Sequence, residues 1–138
     1  MTSRIENYIY YNDKIGKGSF SRVYKGYKVG YPDKLVAIKK IDYDTENERL
    51  KKEIEVMKGI KHPNIIKLYD VCYQDDSIFL ILEYCIKGDF SKFLKKRPLK
   101  EEYAQKYLLQ ISSALNYLFN NNIIHRDLKP HNILVTDN

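Results

Sequence analysis

His125-Arg126-Asp127-Leu128-Lys129-Pro130-His131-Asn132 is a polar run set between two short apolar ones, Ile123-Ile124 and Ile133-Leu134-Val135. Eight residues of these types in this order rarely arise by chance. Asp127 can accept a proton from a hydroxyl, Lys129 can hold a transferring phosphate, and Asn132 offers an amide oxygen to Mg²⁺. A bland solvated loop has no need of all three.

Upstream, Pro98 precedes the longest periodic segment, residues 100–121. Tyr103, Tyr107, Leu108, Ile111, Ala114, Leu115 and Leu118 form a helical stripe, and Leu109 and Phe119 add apolar surface on the other side. A helix apolar nearly all round calls for cover by several neighbours. A shorter helix is expected at 90–96, after Gly88-Asp89. Residues 46–59 carry a third stripe, with Leu50, Ile54 and Met57 at i, i+4 and i+7. The remainder reads as strands: 8–29 in loose alternation broken by Gly16, Gly18, Gly26 and Gly30, then 35–41, 65–73 and 78–83. Tyr31-Pro32-Asp33 and His62-Pro63-Asn64 mark turns. A strand-rich front with one helix, followed by a helical back half, is α+β in two lobes with a break near 83–88.

Three further features bear on chemistry. Ile15-Gly16-Lys17-Gly18-Ser19-Phe20-Ser21-Arg22-Val23 lets backbone N–H groups approach a phosphate with no side chain in the way. A plain hairpin turn reads equally well from these residues alone. A Walker loop is excluded because no G-x-x-x-x-G-K-[S/T] occurs, and Ser21 with the strand-like 23–29 denies a dinucleotide fingerprint. In Val36-Ala37-Ile38-Lys39 the strand period puts Leu35, Ala37, Lys39 and Ile41 on one face. That face could cover an aromatic ring and reach an anion beyond it, although these four residues alone read more readily as an exposed edge strand with a solvated lysine. Glu53, three after Leu50 and four before Met57, is expected at the edge of the inward helix stripe, with Glu48 and Glu55 outward. An inward carboxylate needs a partner, and Lys39 is the candidate. Glu46 has a similar azimuth, but its place in the first turn is explained by the helix dipole.

Composition bounds the class. The chain has 138 residues, 43% hydrophobic and 30% charged, with six glycines and four prolines. That is one globular domain rather than a fibrous or disordered chain. The longest apolar run, Ile78-Phe79-Leu80-Ile81-Leu82, is far short of a bilayer. Cys72 and Cys85 have no disulfide or zinc spacing, so a reducing, cytoplasmic location is expected. The formal charge of +6 comes mostly from scattered lysines, and even the cluster Lys95-Lys96-Arg97 with Lys100 reads as solvated surface. No specific nucleic-acid binding is expected, and the oligomeric state stays open.

Taken together, these motifs resemble a eukaryotic-type serine/threonine protein kinase, over nearly the whole chain. The resemblance implies a partial kinase domain over 1–138: an antiparallel N-lobe at 8–82 with its helix C, a hinge at 83–88, and the start of a mainly helical C-lobe at 89–138. It implies ATP and Mg²⁺ as cofactors and a protein hydroxyl as acceptor. Ile15, Gly16, Lys17, Gly18, Ser19, Phe20, Ser21, Arg22 and Val23 would form the Gly-rich loop, with Ser21 in place of its usual third glycine. Lys39 would hold phosphates and pair with Glu53. Asp127 would be the base, Lys129 would contact the γ-phosphate, and Asn132 would ligate Mg²⁺. Leu82 would be the gatekeeper, and the backbone of Glu83 and Cys85 would bond adenine. Asp89 would approach the ribose, with Val23 and Ala37 above the ring and Leu134 below it. Within the family the pattern is nearest to autophagy-initiating kinases.

The 138 residues contain no Asp-Phe-Gly and no Ala-Pro-Glu after Asn132. The expectation is therefore a chain truncated before those segments, with little activity alone. A second reading is a catalytically inactive fragment that binds nucleotide or competes for the partners of a full kinase.

Overall fold

The structure is a computed structural model, and it describes residues 1–17, 21–42, 48–85, 88–96 and 100–123. The elements are β1 (Thr2–Ile5), β2 (Tyr8–Lys17), β3 (Ser21–Lys28), β4 (Leu35–Asp42), α1 (Glu48–Lys58), β5 (Leu68–Gln74), β6 (Ser77–Glu83), α2 (Phe90–Lys96) and α3 (Glu101–Asn120). The strands make a single six-stranded antiparallel sheet in the order β1-β2-β3-β4-β6-β5. Two compact units divide the chain: Met1–Lys61 with Ile66–Tyr84, and His62–Ile65 with Cys85–Asn138.

The first unit is the sheet with α1. Alternation along β4 sends Val36 and Ile38 to one face and Ala37 and Ile41 to the other, so each face has its own core. Ile5, Tyr8, Val36, Ile38, Cys72, Phe79 and Ile81 fill the first. Ala37, Ile78, Leu80 and Leu82 fill the second, where Ile54 of α1 joins them. The apolar run 78–82 is buried on both faces because β6 lies inside the sheet, flanked by β4 and β5. Full burial contributes about 1.5–3 kcal/mol for each such side chain. Helix α1 presents Ile54, 2% exposed, between the partly buried Leu50 and Met57. Glu48 in its first turn and Lys58 in its last complement the helix dipole.

One glycine is demanded by packing. A Cβ at Gly26 would stand 2.4 Å from the Ile9 carbonyl oxygen and 2.8 Å from Ile38 Cδ1. Only a hydrogen fits where Gly26 of β3 pairs with Tyr10 of β2.

The second unit is built on α3. Phe90, Phe93 and Tyr107 seat α2 against it, with ring centroids 5.5–6.2 Å apart. His62 ties the short segment 62–65 to the same helix. Its Nδ1 accepts the Asn64 N–H at 3.0 Å, so Nε2 is the protonated nitrogen and faces Ser113 Oγ at 3.0 Å. Its ring also lies 5.2 Å from that of Tyr117.

Three expectations need correcting. β1 was not expected: it has four residues and buries only Ile5. The strand expected at 65–73 begins at Leu68, since Ile65 is held in a turn by its N–H bond to the His62 carbonyl. The α3 stripe is narrower than its composition implied. Leu118 is buried and Tyr107, Ile111, Ala114 and Leu115 are half-buried, whereas Tyr103, Leu108, Leu109 and Phe119 are 50–77% exposed.

Candidate functional site

Lys39 sits on the sheet face that carries the second core. Directly opposite it across the strands are Val23 on β3 and Leu80 on β6. One row further on, Lys25, Ala37 and Leu82 are likewise aligned. Directly opposed residues of antiparallel strands share a face, so Val23, Ala37, Lys39, Leu80 and Leu82 form one apolar patch with an ammonium in it. The strand period put Ala37 and Lys39 on one face, and the register sets Val23 from β3 and two leucines from β6 beside them. Lys39 is half-buried and makes no ion pair with any described residue.

Glu53 does not reach it here. The residue is exposed, and no ion pair joins it to Lys39. The helical period placed it beside the inward stripe. The sheet, however, takes Ile54 as the centre of that stripe, and Glu53 lies about 100° away around the helix. Pairing with Lys39 therefore requires α1 to turn or move inward. Glu48 and Glu55 are exposed as expected and pair with Lys51 and Lys58 at 3.6 Å and 3.2 Å. Exposed i,i+3 pairs of this kind contribute little.

The glycine-rich segment joins β2 to β3, with Gly16 opposite Val23 and Lys17 opposite Arg22. Ile15, Lys17 and Arg22 are exposed, and Ser21 and Val23 are half-buried. Gly18, Ser19 and Phe20 lie outside the described residues. Gly16 differs from Gly26 in one informative way. A Cβ there would meet nothing closer than the Val23 side chain at 3.6 Å, an ordinary contact. Packing among the described residues does not demand this glycine.

The end of β6 is fixed by contacts that sequence reasoning did not find. Glu83 donates its backbone N–H to the Lys67 carbonyl at 2.9 Å, and its Oε1 accepts the Lys67 N–H at 3.3 Å. The Lys25 ammonium lies 5.9 Å from the centroid of the Tyr84 ring, which packs on the Ala37–Leu82 cluster. Partners sixteen residues apart leave no local signature. In the second unit, Cys85 accepts the Gly88 N–H through its carbonyl at 3.1 Å. Asp89 is the N-cap of α2: its Oδ1 accepts the Lys92 N–H at 2.9 Å. An aspartate three residues before Lys92 and directly ahead of Phe90 was the available signal for that cap. The other Asp89 carboxylate oxygen has no partner among the described residues.

Asp127, Lys129, Asn132 and Leu134 lie outside the described residues. So does the question of a Mg²⁺ site at Asn132. Among the described residues no group of His, Cys, Asp and Glu could hold a metal ion, and no helix is long and apolar enough to cross a membrane.

Comparison with known proteins agrees with this arrangement. The protein kinase domain family matches residues 9–138. The chain is 43% identical to the serine/threonine-protein kinase ULK3 of Xenopus laevis, an alignment covering 96% of this chain and 29% of that protein. It is 47% identical to calcium-dependent protein kinase 5 of Plasmodium berghei, over 90% of this chain and 22% of that protein. With the CBL-interacting serine/threonine-protein kinase 2 of Arabidopsis thaliana the identity is 38%, over 90% and 28%. The chain belongs to the protein kinase family, and it spans less than a third of the length of these relatives.

Proposed function

We propose that this chain is the ATP-handling portion of a cytoplasmic serine/threonine protein kinase, which moves the γ-phosphoryl group of ATP to a protein hydroxyl. The observation that carries the reading is Lys39, half-buried with no counter-ion among the described residues, in an apolar patch of Val23, Ala37, Leu80 and Leu82. An ammonium so placed suits a ligand that is flat and apolar at one end and anionic at the other. Val23 and Ala37 offer the face for the adenine ring. The segment 15–23 presents backbone N–H groups to phosphates, a use supported by the glycine at 16 that packing among the described residues does not require.

The remaining roles follow from side-chain chemistry. Asp127 takes the proton from the attacking hydroxyl, and Lys129 balances charge on the phosphoryl group in flight. Glu53 orients Lys39 once α1 brings it inward. Asn132 would hold Mg²⁺, which when bound neutralises charge on the phosphate oxygens. The backbone of Glu83 and Cys85 meets the adenine edge, and the free oxygen of Asp89 is available to the ribose.

The test is radiolabelled phosphate transfer from Mg-ATP to a serine- or threonine-containing protein by a complete kinase domain carrying these residues, with ATP affinity measured on the same preparation. Transfer that Asp127→Asn depresses far more than ATP affinity supports the reading. Equal losses in both would deny Asp127 the role of base. Binding without transfer would reassign the chain to a nucleotide-binding module, and binding of neither ATP nor its analogues would overturn the reading.

A further inference from the structure

Glu83 engages both backbone groups of one residue. Its N–H donates to the Lys67 carbonyl at 2.9 Å, and its own Oε1 accepts the Lys67 N–H at 3.3 Å. With its N–H committed, the Glu83 backbone can meet a ligand only through its carbonyl oxygen. That oxygen belongs to the peptide joining Glu83 to Tyr84, and Tyr84 is restrained as well. Its ring packs on the cluster containing Ala37 and Leu82, under the Lys25 ammonium at 5.9 Å. Lys25 in turn stands directly opposite Ala37. The peptide is thus held on its Glu83 side by Lys67 and on its Tyr84 side by Lys25.

We propose that the Glu83 carboxylate and Lys25 are positioning residues for base selection, presetting the Glu83–Tyr84 carbonyl as an acceptor for the exocyclic amine of adenine. The inference rests on the nucleotide reading above and names what sets its preference between purines. A carbonyl oxygen can only accept a hydrogen bond. Adenine offers an amine at its six-position, whereas guanine offers an oxygen there, which would face the carbonyl with no proton between them. A rigid carbonyl rejects guanine because neither oxygen is then satisfied. A slack one can tilt away or admit water, and the rejection weakens. Holding the peptide in advance also spares ATP the cost of ordering it.

The experiment titrates the purified 138-residue chain with fluorescently labelled ATP and GTP, and the readout is the ratio of the two affinities. In Glu83→Ala the ATP affinity should fall roughly threefold to tenfold, the effect of one ordinary hydrogen bond, while that for GTP stays the same or rises. Glu83→Gln keeps an acceptor oxygen and should recover most of the preference. Lys25→Met keeps the apolar stem, leaves the Lys67 bonds in place, and should shift the ratio the same way by a smaller factor. An unchanged ratio in both Glu83→Ala and Lys25→Met, or equal losses for the two nucleotides, overturns the inference while leaving the nucleotide site standing. Glutamine failing to restore the preference also overturns it. If Glu83→Ala does not fold, the ratio in Lys25→Met decides alone. A parent chain that binds neither nucleotide removes both this inference and the reading beneath it.

Discussion

Tyr8 Oη donates a hydrogen bond of 3.1 Å to Asp70 Oδ2, although the residues are 62 positions apart on strands that are not neighbours. Three strands, β3, β4 and β6, separate β2 from β5 in the sheet. The bond can form only because the sheet curls until its two sides approach. Ile5, Tyr8 and Cys72 are 2%, 7% and 0% exposed inside the curl. The family match begins at residue 9, so Ile5, Glu6 and Tyr8 precede it.

Tyr8→Phe removes the hydroxyl and keeps the ring. Asp70 is exposed and can turn to water, so the loss should be near that of one ordinary hydrogen bond, about 0.5–1.5 kcal/mol. Urea denaturation of parent and variant measures it. A loss above about 3 kcal/mol would mean that the ring position, and not the bond, had changed.

The same cluster predicts a loss of stability in alkali. Burial first, and then the Asp70 carboxylate, push Tyr8 from 10.0 up to about 12. Burial first, and then Glu6, push Cys72 from 9.0 up to about 12. Both groups are neutral when protonated, and the fold binds the proton more tightly than the unfolded chain does. Their stabilisation is complete below about pH 9 and is lost progressively as pH rises towards 12. Urea midpoints between pH 8 and pH 11 should therefore fall, and fall less steeply in a Tyr8→Phe/Cys72→Ala double variant (pH values chosen as roughly one unit either side of the unfolded thiol and phenol). Equal slopes would refute the assignment.

Gly26→Ala should be among the most harmful single methyl additions in the chain. The new carbon would press on the Ile9 carbonyl, a backbone atom that cannot rotate aside. Overpacking of this sort costs about 1–3 kcal/mol. Gly16→Ala should cost much less, since its nearest contact would be an ordinary 3.6 Å. The two denaturation midpoints compare directly, and a reversed order would contradict the strand pairing described above.

In a complete kinase domain carrying these residues, Lys39→Met should lower phosphotransfer by roughly 10²–10³-fold, because the ammonium acts on phosphate charge. The fold should persist, since Lys39 makes no ion pair with any described residue. Glu53→Gln should also lower turnover while changing stability by less than about 0.5 kcal/mol, as befits an exposed helix position. Full activity in Lys39→Met, read with thermal melting as a control, would remove it from the site. Full activity in Glu53→Gln would show that α1 never brings the pair together.

Leu109 and Phe119 are 72% and 77% exposed on α3. Replacing both with glutamine should leave the denaturation midpoint within about 0.5 kcal/mol of the parent and reduce self-association, because exposed apolar surface invites contact. Light scattering over a concentration series checks this. A large loss of stability would show that these side chains are packed in solution.

Local physics was enough for much of the molecule. Period-two alternation in β4 and period-3.6 spacing in α1 and α3 depend on neighbours in the chain, so those elements were legible from residue order. The same alternation set Ala37 and Lys39 on one face, and the family was legible in the motifs at 16–23, 36–39 and 125–132. Long-range geometry was not. β1 is a strand because Thr2–Ile5 pairs with the residues from Tyr8 to Tyr11, and four residues with one buried side chain carry too little pattern to announce it. The direction in which α1 faces depends on what the sheet accepts, and it took Ile54 and left Glu53 in solvent. The bond from Tyr8 to Asp70 and the two from Glu83 to Lys67 join residues brought together by strand order and curl. A one-dimensional pattern records which face a side chain occupies. Which other face meets it is settled only when the chain closes on itself.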